Sequence, residues 1–346
     1  MIKKFLSLAV VLLAIAFGSG YWGYQRILEL PQQPLALTEP TVLEVPRGTS
    51  AYQFAQTLEQ RGFVEDARWL RALFKLQPDM AELKAGEYRV SVEDSLGDLL
   101  RRVRSGESIQ YRVTLIEGST APELLAALRQ STVLEHELQS ESAVELAEEL
   151  GLDYASAEGL FLAETYQFER GMSDRDLLLR AHQMLLTALD KHWQARDTDL
   201  PLASPYEALT LASIVEKETG LSSERPVIAG VFIRRLNRNM RLQTDPTVIY
   251  GMGENYQGNL RRKDLREKTP YNTYVIKGLP PTPIATVGEE AIAAALNPAE
   301  GTALFFVAKG DGSHQFSDTL DAHNRAVREY QLKRRKDYRS SPEAQQ

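Results

Sequence analysis

Two carboxyl groups in the run Leu211-Ala212-Ser213-Ile214-Val215-Glu216-Lys217-Glu218-Thr219 are the residues whose type and spacing best suit proton transfer. On a helix, Glu216 and Glu218 stand about 160° apart at roughly 100° per residue, so they fall near opposite edges of the apolar stripe Ala208, Leu211, Ala212 and Val215. A carboxyl at the edge of an apolar face is partly desolvated, stays protonated to higher pH and can serve as a general acid. The bland reading is a solvated Glu-Lys-Glu helix end, and helical geometry alone does not choose between the two glutamates. Downstream, Arg241 through Gly251 and Pro270-Tyr271-Asn272-Thr273-Tyr274 are dense in amide, hydroxyl and phenol groups, and Gly278 through Ile284 follows. Tyrosine offers a flat apolar face to a pyranose and a polar tip, while Asn and Gln pair with hydroxyl and N-acetyl groups. Turn chemistry explains the same residues, with Asp245-Pro246-Thr247 opening a helix or turn.

These groups need elements to hold them. Ser204-Pro205-Tyr206-Glu207 reads as a capping box with proline at the first helical position, and Gly220 is a stop, so a helix is predicted over 205–219. A second helix is predicted over 174–193 from Leu177, Leu178, Ala181, Met184 and Leu185, and an acidic helical stretch over 137–150. Leu304 through Ala308 and His314 through Ser317 flank Lys309-Gly310-Asp311-Gly312, a hairpin signal, and a terminal helix is predicted from Thr319. Lys333-Arg334-Arg335-Lys336 reads as a solvated tail. His314 and His323 suit structural hydrogen bonding rather than catalysis.

Nearer the N-terminus, Val45 through Leu58 and Leu115 through Leu128 repeat one pattern 70 residues apart: strand, glycine turn, hydroxyl-capped helix. Between them, Gly86 to Val90 is a short predicted strand, and Ser95 opens a helix to about Val103. The result is a small βα module over 41–109. It is either a generic packing unit or a glycan-binding one, since it loosely resembles LysM domains. Residues 27–40, with Pro31, Pro34 and Pro40, read as an extended spacer.

Lys3 and Lys4 precede an uncharged run from Phe5 to Tyr24, whose 20 residues at roughly 1.5 Å each match a hydrocarbon core of about 30 Å. Tyr21, Trp22 and Tyr24 suit the far interface, and Arg26 ends the span. The apolar part is short and Ala14-Ile15-Ala16 could be a cleavage site, so a signal peptide is the rival reading. The chain of 346 residues carries net charge −7; Lys3, Lys4 and Arg26 are the only charges before residue 27, leaving −10 for the remainder. That field disfavours nucleic acid as a partner. With no cysteine, disulfides, thiolate catalysis and cysteine-ligated metal sites are excluded. No cofactor motif and no metal-ligand cluster is read.

The run around Glu216 and Glu218, Val231 through Leu236, Met240 through Gly253, Tyr271 through Tyr274, Gly278 through Ile284 and His314 through Asn324 together resemble the MltG (YceG-like) endolytic murein transglycosylase family. The resemblance covers nearly the whole chain. It departs at Ala163-Glu164, where the family carries Pro-Asp before Thr-Tyr. It implies an α+β architecture: cytoplasmic tip and transmembrane anchor (1–26), spacer (27–40), LysM-like module (41–109), larger mixed α/β catalytic domain (110–335) and tail (336–346). The implied function is a lyase of the bacterial inner membrane. Its periplasmic body would cut the MurNAc-GlcNAc β-1,4 bond inside nascent peptidoglycan strands, leave 1,6-anhydro-MurNAc ends and terminate elongation. The implied acid is the second glutamate of the triplet, Glu218, and the implied partners are glycan strands, the membrane and penicillin-binding synthases. Gln243, Thr247, Tyr250, Tyr271, Asn272 and Tyr274 are the candidates for holding saccharide. The competing readings are a lysozyme-type hydrolase, with Glu164, Glu216 or Asp245 as second carboxylate, and a noncatalytic wall-binding scaffold.

Overall fold

The computed structural model describes residues 2–332, so the basic tail from Lys333 and residues 336–346 lie outside the described residues. The fold is mixed α/β. Among the described residues the strands form two-stranded ladders: β1 (Thr41–Val45) with β2 (Gly86–Val90), β3 (Tyr111–Thr114) with β4 (Thr165–Phe168), and β5 (Phe305–Ala308) with β6 (His314–Ser317). The chain divides into two compact units.

The first unit comprises residues up to Tyr111 with 133–135 and 167–172. Helix α1 (Ile2–Glu29) is long and apolar enough to cross a membrane, and Leu6 through Phe17 present their side chains outward, uncovered by protein. The following segment corrects the expected extended spacer. Leu30 and Leu35 are buried in the unit's core, Leu35 N–H donates to Asp94 O at 3.0 Å, and Leu96 N–H donates to Gln33 O at 2.9 Å. The prolines set turns, but two leucines with an apolar core in reach dock rather than stay in water. Strands β1 (Thr41–Val45) and β2 (Gly86–Val90) pair antiparallel from Thr41 opposite Val90 to Val45 opposite Gly86. Leu43 and Val45 point into the core while Glu44 points out, as a period of two requires. Between the strands lie α2 (Ala51–Gln60) and α3 (Ala67–Leu76), and α4 (Leu96–Ser105) follows. Reciprocal Ser50–Gln53 and Ser95–Asp98 pairs cap α2 and α4. Helix α3, capped by Asp66 and burying Leu70, Leu73 and Phe74, was not anticipated from sequence.

The second unit holds 112–132, 136–166 and the chain from Ser173. Gly118, at φ +74°, makes the turn into α5 (Ala121–Arg129). The acidic stretch is helical only as α6 (Ala143–Leu150), because Ser142 and Glu145 cap it there and the Glu149 carboxylate takes the N–H groups of Gln139 and Ser140. Helix α7 (Asp174–Gln194) buries the expected stripe except Met184, which is exposed.

Helix α8 (Pro205–Glu218) is the centre of this unit, packed by α7, α9 (Arg225–Asn237) and α11 (Glu289–Leu296). Every residue from Ala208 to Glu216 is buried, so α8 has no solvent face over that stretch. Its cap is half of the expected box. Ser204 Oγ accepts Glu207 N–H, but the Glu207 carboxylate takes the N–H of Ala203. Helix α10 (Asp245–Met252), the antiparallel hairpin β5 (Phe305–Ala308) and β6 (His314–Ser317), and α12 (Leu320–Val327), capped by Thr319, complete the unit.

Candidate active site

The three charged residues ending α8 go separate ways. Glu216 Oε1 receives Arg225 Nη2 at 2.8 Å and its Oε2 receives Gly288 N–H at 3.0 Å, all buried. Burial raises the Glu216 carboxyl above its ordinary range, against the pull of those two partners. Lys217 Nζ donates to Gly118 O at 2.9 Å. All three border a cavity of about 690 Å³, whose walls also include Arg235, Gln243, Thr244, Asp245, Tyr274 and the strand from Phe305 to Ala308, and of the two glutamates Glu218 is the one without an ion-pair partner among the described residues. The structure thus separates the two glutamates that the helical wheel left equivalent: Glu216 is tied to Arg225, whereas Glu218 is bonded to Thr244 on the cavity wall.

Glu218 is pushed up to about 7, first by loss of hydration and then by the negative charge of Asp245, while the Thr244 hydroxyl bonded to its Oε1 and the Arg235 cation work against that rise. A carboxyl at that value exists in both forms near neutrality, which suits a group that must first give and then take a proton. Asp245, first residue of α10, accepts the Tyr274 hydroxyl at 2.6 Å. Arg235 is held by its Nε on Leu304 O at 2.6 Å and its Nη1 on Leu242 O at 2.7 Å, with its guanidinium 5.0 Å from the Phe305 ring centre. That arginine ties α9, the 241–242 segment and β5 into one wall.

Of the six residues expected to hold saccharide, Gln243 and Tyr274 line the cavity. Gln243 sits in the left-handed region at φ +51° with its N–H on Thr273 O, which leaves its side chain exposed. Thr247 and Asn272 do not line the cavity. Both are fully buried. Thr247 Oγ1 bonds Thr244 O at 2.9 Å, and Asn272 Nδ2 donates to Asp264 O and Glu267 O, so their polar atoms hold the loops that carry the site. Tyr250 and Tyr271 are likewise off the cavity wall: their rings meet edge-on at 4.9 Å, the Tyr250 hydroxyl reaches Glu158 at 3.2 Å and that of Tyr271 reaches Thr282 at 2.9 Å. Glu164, at the departure from the family pattern, is exposed and takes the N–H of Thr165. His314 bonds Glu224 through Nδ1 at 2.7 Å, and His323 stacks on Phe305 at 5.3 Å, yet both also line the cavity.

Sequence reasoning passed over Thr244 and Arg235. Two arginines, Arg234 and Arg235, in the otherwise apolar run from Val231 to Leu236 are the available signal for the latter, because a cation on a buried helix must find partners.

Comparison with known proteins places the chain in a family. The Bacillus subtilis endolytic murein transglycosylase is 27% identical over 307 residues, covering 83% of this chain and 84% of the relative. The Streptococcus pneumoniae protein of the same name is 28% identical over 95% of this chain, which spans 65% of that longer relative. A crystal structure of a yceG-like protein from Listeria monocytogenes superposes with a TM-score of 0.50 at 28% identity, covering 83% of this chain and 99% of the other. The sequence profile of the YceG-like family matches residues 43–329, which takes in α8 with its glutamates and the cavity walls up to α12, and the chain belongs to that family.

Proposed function

We propose that this chain is an endolytic murein transglycosylase, a lyase that cuts peptidoglycan strands internally at the MurNAc-GlcNAc β-1,4 bond. The observation that carries the reading is Glu218, a carboxyl held at about 7 on the wall of a cavity large enough for several sugar rings, in a family whose relatives bear that name. Protonated Glu218 gives its proton to the bridging oxygen as the oxocarbenium-like state develops. The resulting carboxylate takes the proton of the muramyl C6 hydroxyl, whose oxygen closes on C1. The product is a 1,6-anhydro end, and no water is consumed. In this reading Gln243 and Tyr274, which line the cavity, hold the sugar, and the Arg235 cation beside Glu218 stabilises the carboxylate formed halfway.

Helix α1 anchors the chain in the inner membrane with its body in the periplasm, which confines cutting to newly made strands. The small unit, whose strands enclose two helices in the order strand, helix, helix, strand, supports a LysM-like role in holding glycan. Coupling to penicillin-binding synthases rests on the family resemblance alone.

One observation favours a second reading. Asp245 is a second carboxylate in the same cavity, as a hydrolase of the lysozyme type requires. The ends decide between them. Full-length protein in detergent is incubated with purified peptidoglycan beside Glu218→Gln, and the sugar ends are read by mass spectrometry. Anhydro-muramyl ends that fall by at least about 100-fold in the variant are expected for loss of a general acid. Ends carrying an added water overturn the lyase in favour of the hydrolase, and anhydro ends undiminished in the variant remove Glu218 from the chemistry.

A further inference from the structure

We infer that Trp69 of α3 is seated in the membrane interface beside Trp22, so that α1 and α3 together hold the small unit flat against the lipid headgroups. The inference rests on the reading that α1 spans the bilayer and goes beyond it. From Phe5 to Trp22 the helix rises about 25 Å at 1.5 Å per residue, which brings Trp22 close to the far boundary of a hydrocarbon core of about 30 Å. The Trp69 ring meets the Trp22 ring edge-on, centroids 6.0 Å apart and planes at 82°. Trp69 therefore shares the depth of Trp22 to within about one ring. Arg26, one turn further out, sets its guanidinium 5.9 Å from the Trp22 ring centre and 6.0 Å from that of Trp69, and extends to Glu65 at 3.5 Å.

This grouping of two indoles, a cation stacked on both and an acid beyond them matches the gradient at a bilayer surface. Indole favours the headgroup boundary, and charge favours the water side of it. Trp69 packs only against the edge of the core. Leu70, Leu73 and Phe74 of the same helix fill the core of the unit, whereas Trp69 remains partly open and its far ring edge lies against Gly23 of α1. Nor can the unit lift away on a tether. Leu30 and Leu35 are buried in it directly after α1, so the anchor and the unit move as one piece. The partner of this surface is the lipid interface itself.

The chain has three tryptophans, Trp22, Trp69 and Trp193, which makes depth measurable. Two full-length variants, keeping only Trp22 or only Trp69 with the other two tryptophans changed to Phe, are reconstituted in phosphatidylcholine vesicles containing lipid brominated near the headgroup end of its acyl chains. Quenching of the Trp69-only protein is expected to lie within about a factor of two of the Trp22-only protein, since both rings would sit at interfacial depth, and each protein in vesicles without brominated lipid gives its unquenched reference. Strong quenching of Trp22 with Trp69 unquenched relative to that reference overturns the inference and leaves the anchor standing. No quenching of Trp22 overturns the spanning reading, and this inference falls with it.

Discussion

The Tyr274 hydroxyl donates to Asp245 Oδ1 at 2.6 Å, and the carboxylate it fixes is one that holds the Glu218 carboxyl up. Tyr274 is pushed further from ionising by burial and by its bond to that same carboxylate, so its hydroxyl stays a donor that fixes Asp245 beside the acid. Replacing Asp245 by Asn removes the charge with little change of shape. Glu218 then ionises more readily and is protonated over a narrower range, so the alkaline limb of the cleavage pH profile should move to lower pH. Cleavage rates measured across pH check this, and an unmoved limb in Asp245→Asn would show that Asp245 serves only the loop.

Thr244 supplies the opposite test. Its hydroxyl donates to Glu218 Oε1 and favours the ionised form, so Thr244→Val should raise the Glu218 value and carry the alkaline limb to higher pH. Val keeps the volume and drops the donor. The second half-reaction, in which the carboxylate recovers a proton, loses a stabilising hydrogen bond of about 1.5–3 kcal/mol, so the maximal rate should fall as the limb moves up. A limb moving down in both variants would contradict this account of the cavity.

The residues that were legible in the sequence are those whose local chemistry decides their structure. Ser204-Pro205 fixes the start of α8 whatever surrounds it, and Ser95 and Thr319 do the same for α4 and α12. Glu216 and Glu218 were inseparable on a wheel, because α8 is enclosed by α7, α9 and α11 and its glutamates are told apart by Arg225 and Thr244, both outside the helix. The polar loops stand out by composition. Which of their side chains reach the cavity depends on the left-handed turn at Gln243 and the bonds that bury Thr247 and Asn272, and composition carries neither. Prolines made 27–40 look like a tether, while the two leucines that dock it carried less weight than they should have.

Glu158 offers a stability test away from the cavity. It is 1% exposed, accepts Ala121 N–H at 3.0 Å and the Tyr250 hydroxyl at 3.2 Å, and burial pushes it up to about 7 from an ordinary 4.5. A carboxyl raised on folding contributes its stability below its unfolded value and loses it as pH rises through the folded value, so the native state should weaken between about pH 4.5 and pH 7. The shift corresponds to a loss of about 3 kcal/mol at the alkaline end. Glu158→Gln keeps an acceptor for Ala121 and has no charge to bury. Denaturant unfolding should find the variant more stable than wild type at about pH 8 and nearly equal at about pH 5; a difference independent of pH would mean that Glu158 is already ionised in the native state.

Arg225 presents the reverse case, a buried cation whose loss strands a partner. Its side chain is 6% exposed and reaches Glu216 at 2.8 Å, Glu290 at 2.5 Å and Glu117 at 3.3 Å. Of these acids only Glu216 is itself buried, so it bears the cost when the arginine goes. Arg225→Met should destabilise the protein by about 3–5 kcal/mol, the range for breaking a buried pair by removing one member. The loss should deepen as pH rises, since without its cation Glu216 must be ionised against burial or remain protonated. Adding Glu216→Gln to Arg225→Met should restore a large part of the stability, because the uncompensated charge is then gone while the contact with Gly288 N–H can be kept by the amide oxygen. Unfolding free energies for the two single variants and the double complete a cycle, and a double variant no more stable than Arg225→Met would show that the arginine matters through its contacts with Glu290 and Glu117 instead.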